Sequence, residues 1–409
     1  MKINYKISDK IDFYILIPLI ILIALGLITI LSATINHPTA SGNFNKQLYW
    51  SILSFGILFI IYFLPPQFFK AVAIPSFIIT QVLLILVLLM GTKIYGAKSW
   101  LIFGPVGFQP SEFAKIGIIL FLAYLLTRRK VDINKPINLF ITILLSAIPI
   151  LLILFQPDMG TAVVCALIAL IMIYWSGLSL FGIFVVISPL LVIFASLFGI
   201  AVLIAVLVGV LVALIAFNKD LFTSATVFVA NIAAGFIFDI FFNFLKPHQQ
   251  RRIEAFIDPN ADPLGSGYNA LQAKVAIGSG GVLGKGFMEG NQTQLKFIPE
   301  QWTDFIFCVV GEEFGFIGSI IVIVLFLVIF FRLLNLTYII SDKFGNIIII
   351  GIWGLLFTQF AINIGMNLGI TPVVGLPLPF LSYGGSSLLT NMILIGLVLN
   401  IYKNRKIYI

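Results

Sequence analysis

The chain has 409 residues, 60% of them hydrophobic and 10% charged, with 40 Phe and a mean hydropathy of +1.13. A soluble domain is about 45–50% apolar and about 25% charged, so this surface is itself apolar and its solvent is lipid. That excludes a soluble enzyme, a nucleic-acid-binding module and a disordered scaffold, and it makes the net charge of +8 a mark of basic loops on one side of a membrane.

A helix needs about 20 residues to cross a hydrocarbon core of about 30 Å. Runs of that kind lie near 12–34, 48–64, 71–91, 112–127, 137–155, 160–176, 179–197, 198–217, 222–244, 305–331, 345–368 and 384–402. They predict an all-α, polytopic transmembrane bundle of twelve spans, forming one domain over 1–409. The first run is too long for the apolar core of a cleavable signal and lacks a small-x-small site, so it is expected to stay as a span. The stretch 159–218 carries no Asp, Glu, Lys or Arg and is long enough for three crossings.

Charge tests the topology. With the N-terminus inside, 14 of the 24 Lys and Arg fall in cytoplasmic segments, whereas the short loops opposite hold only Lys46, Lys93 and Lys98. That bias requires an even number of spans and places both termini in the cytoplasm. Ten of the 16 acidic residues then lie on the outer side or at outer helix ends. One outer loop, 245–304, is polar, Gly-rich and about 60 residues long. Loops beyond about 15 residues are usually functional or disordered. Amphipathic stretches at 248–256 and 268–277 predict that this one is ordered and lies at the interface. Cys165 and Cys308 sit in apolar surroundings and predict no disulfide framework. His37 and His248 have no partner at metal-site spacing, so ligation by His or Cys is not expected.

Four polar constellations share the outer side. Gln109-Pro110-Ser111-Glu112-Phe113-Ala114-Lys115 opens a helix, with Pro and an acid in its first turn and Glu112 and Lys115 on one face. Gln156-Pro157-Asp158-Met159-Gly160-Thr161 is a charged break, with Asp158 placed to cap the next helix. The long loop carries Arg251-Arg252, Asp258-Pro259, Asp262-Pro263-Leu264-Gly265-Ser266-Gly267-Tyr268, Gly278-Ser279-Gly280-Gly281 and Gly284-Lys285-Gly286. These glycines allow close approach of backbone amides to an anion but do not match a nucleotide-binding P-loop. The loop ends in Glu300-Gln301-Trp302-Thr303-Asp304, and Glu312-Glu313 then lies within a span, where paired carboxylates imply function or buried pairing. The fourth runs over 369–387 and includes Pro372, Pro377, Pro379, Ser382, Tyr383 and Ser386; non-helical backbone at that depth must be buried in protein or line a polar cavity. Such a surface above an apolar body suits a ligand with an anionic polar head and a long hydrocarbon tail.

The four constellations, in this order, resemble the SEDS (shape, elongation, division, sporulation) proteins over roughly 12–178 and 222–402. Ile277-Gly278-Ser279-Gly280-Gly281, Gly284-Lys285-Gly286 and Asn291-Gln292-Thr293-Gln294-Leu295 are most similar to the rod-shape branch; the division branch is the closest alternative. The resemblance implies a peptidoglycan glycosyltransferase of the bacterial cytoplasmic membrane. It would polymerise lipid II, the undecaprenyl-diphosphate-linked disaccharide-pentapeptide, at the outer face. It implies Asp262 as the catalytic residue, with Asp258 second. Glu112, Lys115, Asp158 and Arg252 are possible supporting groups. Lys98, Gln109, Lys274, Lys285, Thr303, Asp304, Ser382 and Ser386 are candidate substrate contacts. It also implies a divalent cation, Mg²⁺ or Mn²⁺, with Glu112 or Asp158 as possible holders. The partners it implies are a class B penicillin-binding transpeptidase and other elongation-complex membrane proteins, and no nucleic acid.

Two departures from the family pattern stand out. Members typically have about ten spans, so the roughly 40 extra apolar residues of 179–221 read as an inserted hairpin. Gln301-Trp302 stands where many members have a pair containing His. The competing reading is a lipid II flippase or other transporter, against which the polar groups crowd one leaflet rather than the midplane. A non-catalytic scaffold for the transpeptidase is the third.

Overall fold

The computed structural model describes residues 10–94, 97–104, 106–128, 132–196, 198–218, 220–244, 250 and 266–405. Arg252, Asp258 and Asp262 lie outside the described residues, as does 248–256 apart from Gln250.

Each apolar run is a helix. In chain order they are α1 (Phe13–Thr34), α2 (Asn43–Phe63), α3 (Pro66–Met90), α4 (Pro110–Leu126), α5 (Pro136–Phe155), α6 (Met159–Trp175), α7 (Leu180–Ser196), α8 (Ile200–Ala216) and α9 (Leu221–Phe244). After the loop come α10 (Ser266–Ser279), α11 (Asn291–Gln294), α12 (Ile306–Glu313), α13 (Gly315–Ile339), α14 (Lys343–Asn367) and α15 (Gly385–Asn404). Among the described residues, seven of these (α1, α2, α3, α5, α13, α14 and α15) are long and apolar enough to cross a membrane. The α6, α7 and α8 helices have 17 residues each, about 25 Å. The expected span at 305–331 is broken into α12 and α13.

The fold is predominantly helical, but the strict all-α expectation needs one correction. Three short strands, β1 (Thr92–Ile94), β2 (Ala97–Phe103) and β3 (Val106–Phe108), form an antiparallel meander between α3 and α4. The segment is too short and too rich in Gly to read as anything but a connection. Pairing of its backbone groups with each other is what lets it sit at a helix-bundle end.

Local chemistry sets the helix ends. Asp12, Asp158 and Asp342 cap α1, α6 and α14 by accepting from Tyr14 N (3.1 Å), Thr161 N (3.1 Å) and Gly345 N (3.0 Å). Pro opens α3, α4 and α5, where its missing N–H costs nothing. At the other end of α2, Asn400 Nδ2 donates to the carbonyls of Ile61, Tyr62 and Leu64. The main core is shared by α1–α6 and α12–α15, with α2 against α15 and α3 against α4 as the most extensive pairings. A second core joins α10, α12 and the loop to the end of α1, through Ala33, Ala273, Ala276, Trp302, Phe305 and Val309. The third belongs to α7–α9 alone, with Val192, Val210, Leu214 and Val227 around a buried Asn231–Ser188 hydrogen bond of 3.0 Å.

The break between α12 and α13 is stitched by the Gly-rich turn after α10. Lys285 N and Gly286 N donate to the Glu312 and Glu313 carbonyls at 3.0 and 3.1 Å. Phe316 N and Ile317 N donate in turn to the Gly281 and Val282 carbonyls at 2.9 and 3.2 Å. Orphan groups at a helix end and a helix start thereby satisfy each other within a lipid-bathed body. A side chain on Gly280 would overlap the Gly311 carbonyl, and Gly284 sits at φ +84°. Gly280→Ala is expected to destabilise the protein by about 1–3 kcal/mol, checked by thermal melting in detergent; an unchanged melting temperature would show that the turn can withdraw from α12.

Candidate active site

The polar constellations meet at one end of the bundle, where α4, α6 and α15 begin and α14 ends. At the head of α4, Lys115 Nζ and Glu112 Oε1 form an ion pair of 2.7 Å with side chains 0% and 3% exposed. Spacing of three residues puts both on one helix face, and the surrounding apolar core makes each the other's counter-charge. Beside it, Asp158 Oδ2 accepts from Gln109 Nε2 at 3.2 Å and Ser111 Oγ at 3.3 Å while Oδ1 caps α6. Gln109 N donates to Ser386 Oγ at 3.4 Å, which ties the head of α4 to the head of α15. Gln109, Ser111, Asp158 and Ser386, separated by up to 277 residues, are therefore one hydrogen-bonded group, within a turn or two of the Glu112–Lys115 pair on α4.

A second group holds the loop. Glu312 is fully buried and accepts from Lys285 Nζ (2.8 Å), Gln292 N (2.8 Å), Thr293 N (2.9 Å) and Thr293 Oγ1 (2.8 Å). Its neighbour Glu313 accepts from Ser32 Oγ on α1. Gln301 Nε2 bridges the Ala33 and Thr293 carbonyls at 3.2 and 2.9 Å. The paired carboxylates are thus a buried clamp between α12, α1 and the loop, and Lys285, expected to touch substrate, is one arm of it.

A third group orders the segment 368–384. Ser382 Oγ donates to the Thr303 carbonyl at 2.5 Å and accepts from Leu378 N at 2.8 Å. Gln47 donates to the Ser382 carbonyl and accepts from Gly384 N. The Asp304 carbonyl accepts from Asn363 and Asn367 Nδ2 at 2.9 and 3.1 Å. Tyr383, whose N donates to the Trp302 carbonyl, has its phenol pushed above the ordinary range by burial first and by the Glu300 carboxylate second. Trp302 meets the His37 ring edge-on with centroids 4.8 Å apart. Lys274 is exposed and lies over Gly369. Lys98 stands apart from the expected role: its ammonium caps α3 on the Leu88 and Leu89 carbonyls at 2.7 and 2.9 Å.

The buried amides Gln359, Asn363 and Asn367 were not singled out in the sequence. Their spacing of four residues along an apolar run is a helix-face signal that would have found them. Among the described residues, no group of three His, Cys, Asp or Glu is placed to hold a metal ion. Glu112 already faces an ammonium and Asp158 faces amide and hydroxyl donors. Among the described residues, then, no set of donors stands ready for a divalent cation.

The fold and this site define a polytopic membrane protein with a buried polar cluster at one end of its helices. The chain belongs to the family described as cell cycle protein, that of FtsW, RodA and SpoVE, which matches residues 12–206 and 181–407. It is similar to the peptidoglycan glycosyltransferase MrdB of Escherichia coli, 36% identical over 345 residues covering 84% of this chain and 81% of that one. It is 33% identical to the peptidoglycan glycosyltransferase RodA of Treponema pallidum over 95% of this chain and 97% of that one. A probable peptidoglycan glycosyltransferase FtsW of Trichlorobacter lovleyi is 30% identical over 97% of this chain and 94% of its own. In structure the chain resembles a chain of a peptidoglycan synthase complex that coordinates polymerization and crosslinking, with TM-score 0.73, 28% identity and coverage of 97% and 98%. It also shares its fold with Thermus thermophilus RodA, with TM-score 0.62, 24% identity and coverage of 97% of each chain.

Proposed function

We propose that this protein is a peptidoglycan glycosyltransferase that polymerises lipid II at the outer face of the bacterial cytoplasmic membrane during elongation. The observation that carries the reading is the buried Glu112–Lys115 pair at the head of α4, beside the Gln109–Ser111–Asp158–Ser386 hydrogen-bonded group. It gives a hydrocarbon-lined body a charged floor, where a polar head can be handled while its lipid tail stays in the bilayer. The relatives named above supply the reaction class.

In this reading the acceptor sugar's 4-hydroxyl oxygen attacks the donor anomeric carbon. Asp262 takes its proton as general base, the bond to the diphosphate oxygen breaks on the opposite face, and the anomer inverts. Lys115 and Arg252 are the cations proposed to offset the charge that develops on the leaving diphosphate. The basic end of the bundle supports this orientation. There Arg332 bonds Asp12 at 2.6 Å and lies over Tyr14 and Tyr402, while Lys403 lies over Tyr62 and Phe63. An excess of Lys and Arg is the cytoplasmic signal, and aromatic rings belong to either interface. A class B penicillin-binding transpeptidase is the proposed partner, supported by the likeness to a synthase complex. The overlap of the two family matches over 181–206 supports reading 179–221 as an added hairpin.

Purified protein in detergent is expected to build glycan chains from lipid II. Proteoliposomes that scramble lipid II without polymer would decide for transport instead. Depletion in cells is expected to round them; filamentation would assign the chain to division.

A further inference from the structure

We infer that Gln359 and Thr390 are positioning residues for the Glu112–Lys115 pair, acting through water held where α4, α14 and α15 meet. The inference rests on the polymerase reading above.

The three helices can be set in register from their contacts. Gln109 N meets Ser386 Oγ, so α4 and α15 start at the same end. Asn363 and Asn367 reach the Asp304 carbonyl there, so α14 finishes at that end and runs antiparallel to α4. The α4–α14 crossing is marked by Ile119 and Gly351, where an added Cβ would lie 3.2 Å from Ile119 Cγ2. From that point toward the site, Glu112 is seven residues along α4 and Gln359 eight along α14, about two turns in each. Thr390 lies four residues beyond Ser386, and Glu112 three beyond Gln109. All three residues therefore sit at about one depth, on helices that pack against one another pairwise.

What they present there is unpaired. Glu112 is 3% exposed, and Gln359 and Thr390 are 0% exposed. Glu112 Oε1 takes the Lys115 ammonium, but Glu112 Oε2, both Gln359 amide atoms and Thr390 Oγ1 have no hydrogen-bond partner among the described residues. Buried polar groups are almost always satisfied, and an apolar interior penalises each one that is not. A carboxylate oxygen needs a donor, while an amide and a hydroxyl each offer both roles. Water, with two to four polar partners, is the ligand that completes such a set. A cation is disfavoured because the Lys115 ammonium already lies 2.7 Å from the other carboxylate oxygen. Fixing Oε2 through that water fixes the carboxylate plane, and with it the direction in which Lys115 presents its remaining N–H donors to the developing diphosphate charge.

Gln359→Leu and Thr390→Val keep volume and remove the polar atoms. Gln359→Leu is expected to lower kcat for glycan synthesis about tenfold or more, the scale of a hydrogen bond to a charged group, with KM for lipid II and the melting temperature nearly unchanged. In a Glu112→Gln background the same substitution is expected to have little further effect, because the two act as a unit. Gln359→Asn should restore part of the rate. Full activity of Gln359→Leu, or effects that multiply independently with Glu112→Gln, would overturn the inference. If Gln359→Leu does not fold, Thr390→Val carries the same comparison. A wild-type protein that makes no glycan removes the polymerase reading and the positioning role with it, whereas an active wild type with silent variants removes the positioning role alone.

Discussion

Asp262→Asn is expected to cut glycan synthesis from lipid II by about 10²–10⁴-fold, the usual worth of a positioned general base, while membrane insertion and melting temperature stay as in the wild type. The amide keeps the size and polarity of the carboxylate but cannot take the acceptor hydroxyl's proton as the new C–O bond forms. Donor binding, set by the diphosphate and the sugars, is expected to persist, so the loss should appear in kcat. Near-normal polymer from the variant would take Asp262 out of the reaction, and Asp258→Asn would become the next comparison. The scaffold reading makes a different demand, since under it Asp262→Asn is silent in cells.

Glu312→Ala is expected to have the largest effect on stability. The substitution leaves the Lys285 ammonium, two backbone N–H groups and the Thr293 hydroxyl without their common acceptor. Each buried donor left unsatisfied costs about 1–3 kcal/mol, and three of them lose one acceptor here while the partly exposed Lys285 turns to water. Thermal melting in detergent checks it, and Glu312→Gln, which keeps an acceptor oxygen, should lose less. An Ala variant that melts with the wild type would show that the loop docks without this clamp.

Periodicity and run length made the helices legible, because lipid requires every spanning segment to satisfy its own backbone. The heads of α4 and α6 were equally readable: Pro110 with Glu112, and Asp158 before Gly160, are local signals for helix starts. What no local signal carries is pairing across the chain. Lys285 read as a substrate contact because nothing nearby in sequence shows that Glu312, 27 residues on, will bury itself against it. The partners of Lys98 are hidden for a related reason, since they are backbone carbonyls of α3, and carbonyls leave no trace in composition. The glycines of 278–286 suited an anion equally well; the structure spends Gly280 and Gly284 on a backbone exchange with α12 and α13.

The separate packing of α7–α9 has a mechanical consequence. These helices share their own small core, and among the described residues one contact with the rest of the protein lies at the α6–α7 turn. There Ile133, Ile173 and Leu178 pack, and Asn134 bonds the Gly177 carbonyl and Ser179 N. At 17 residues, α7 and α8 are short for a bilayer and would be the first elements to lean or shift as membrane thickness varies. Packing through their own core lets that adjustment pass as a movement of the three helices together, a freedom that the shared main core denies to α4 and α15.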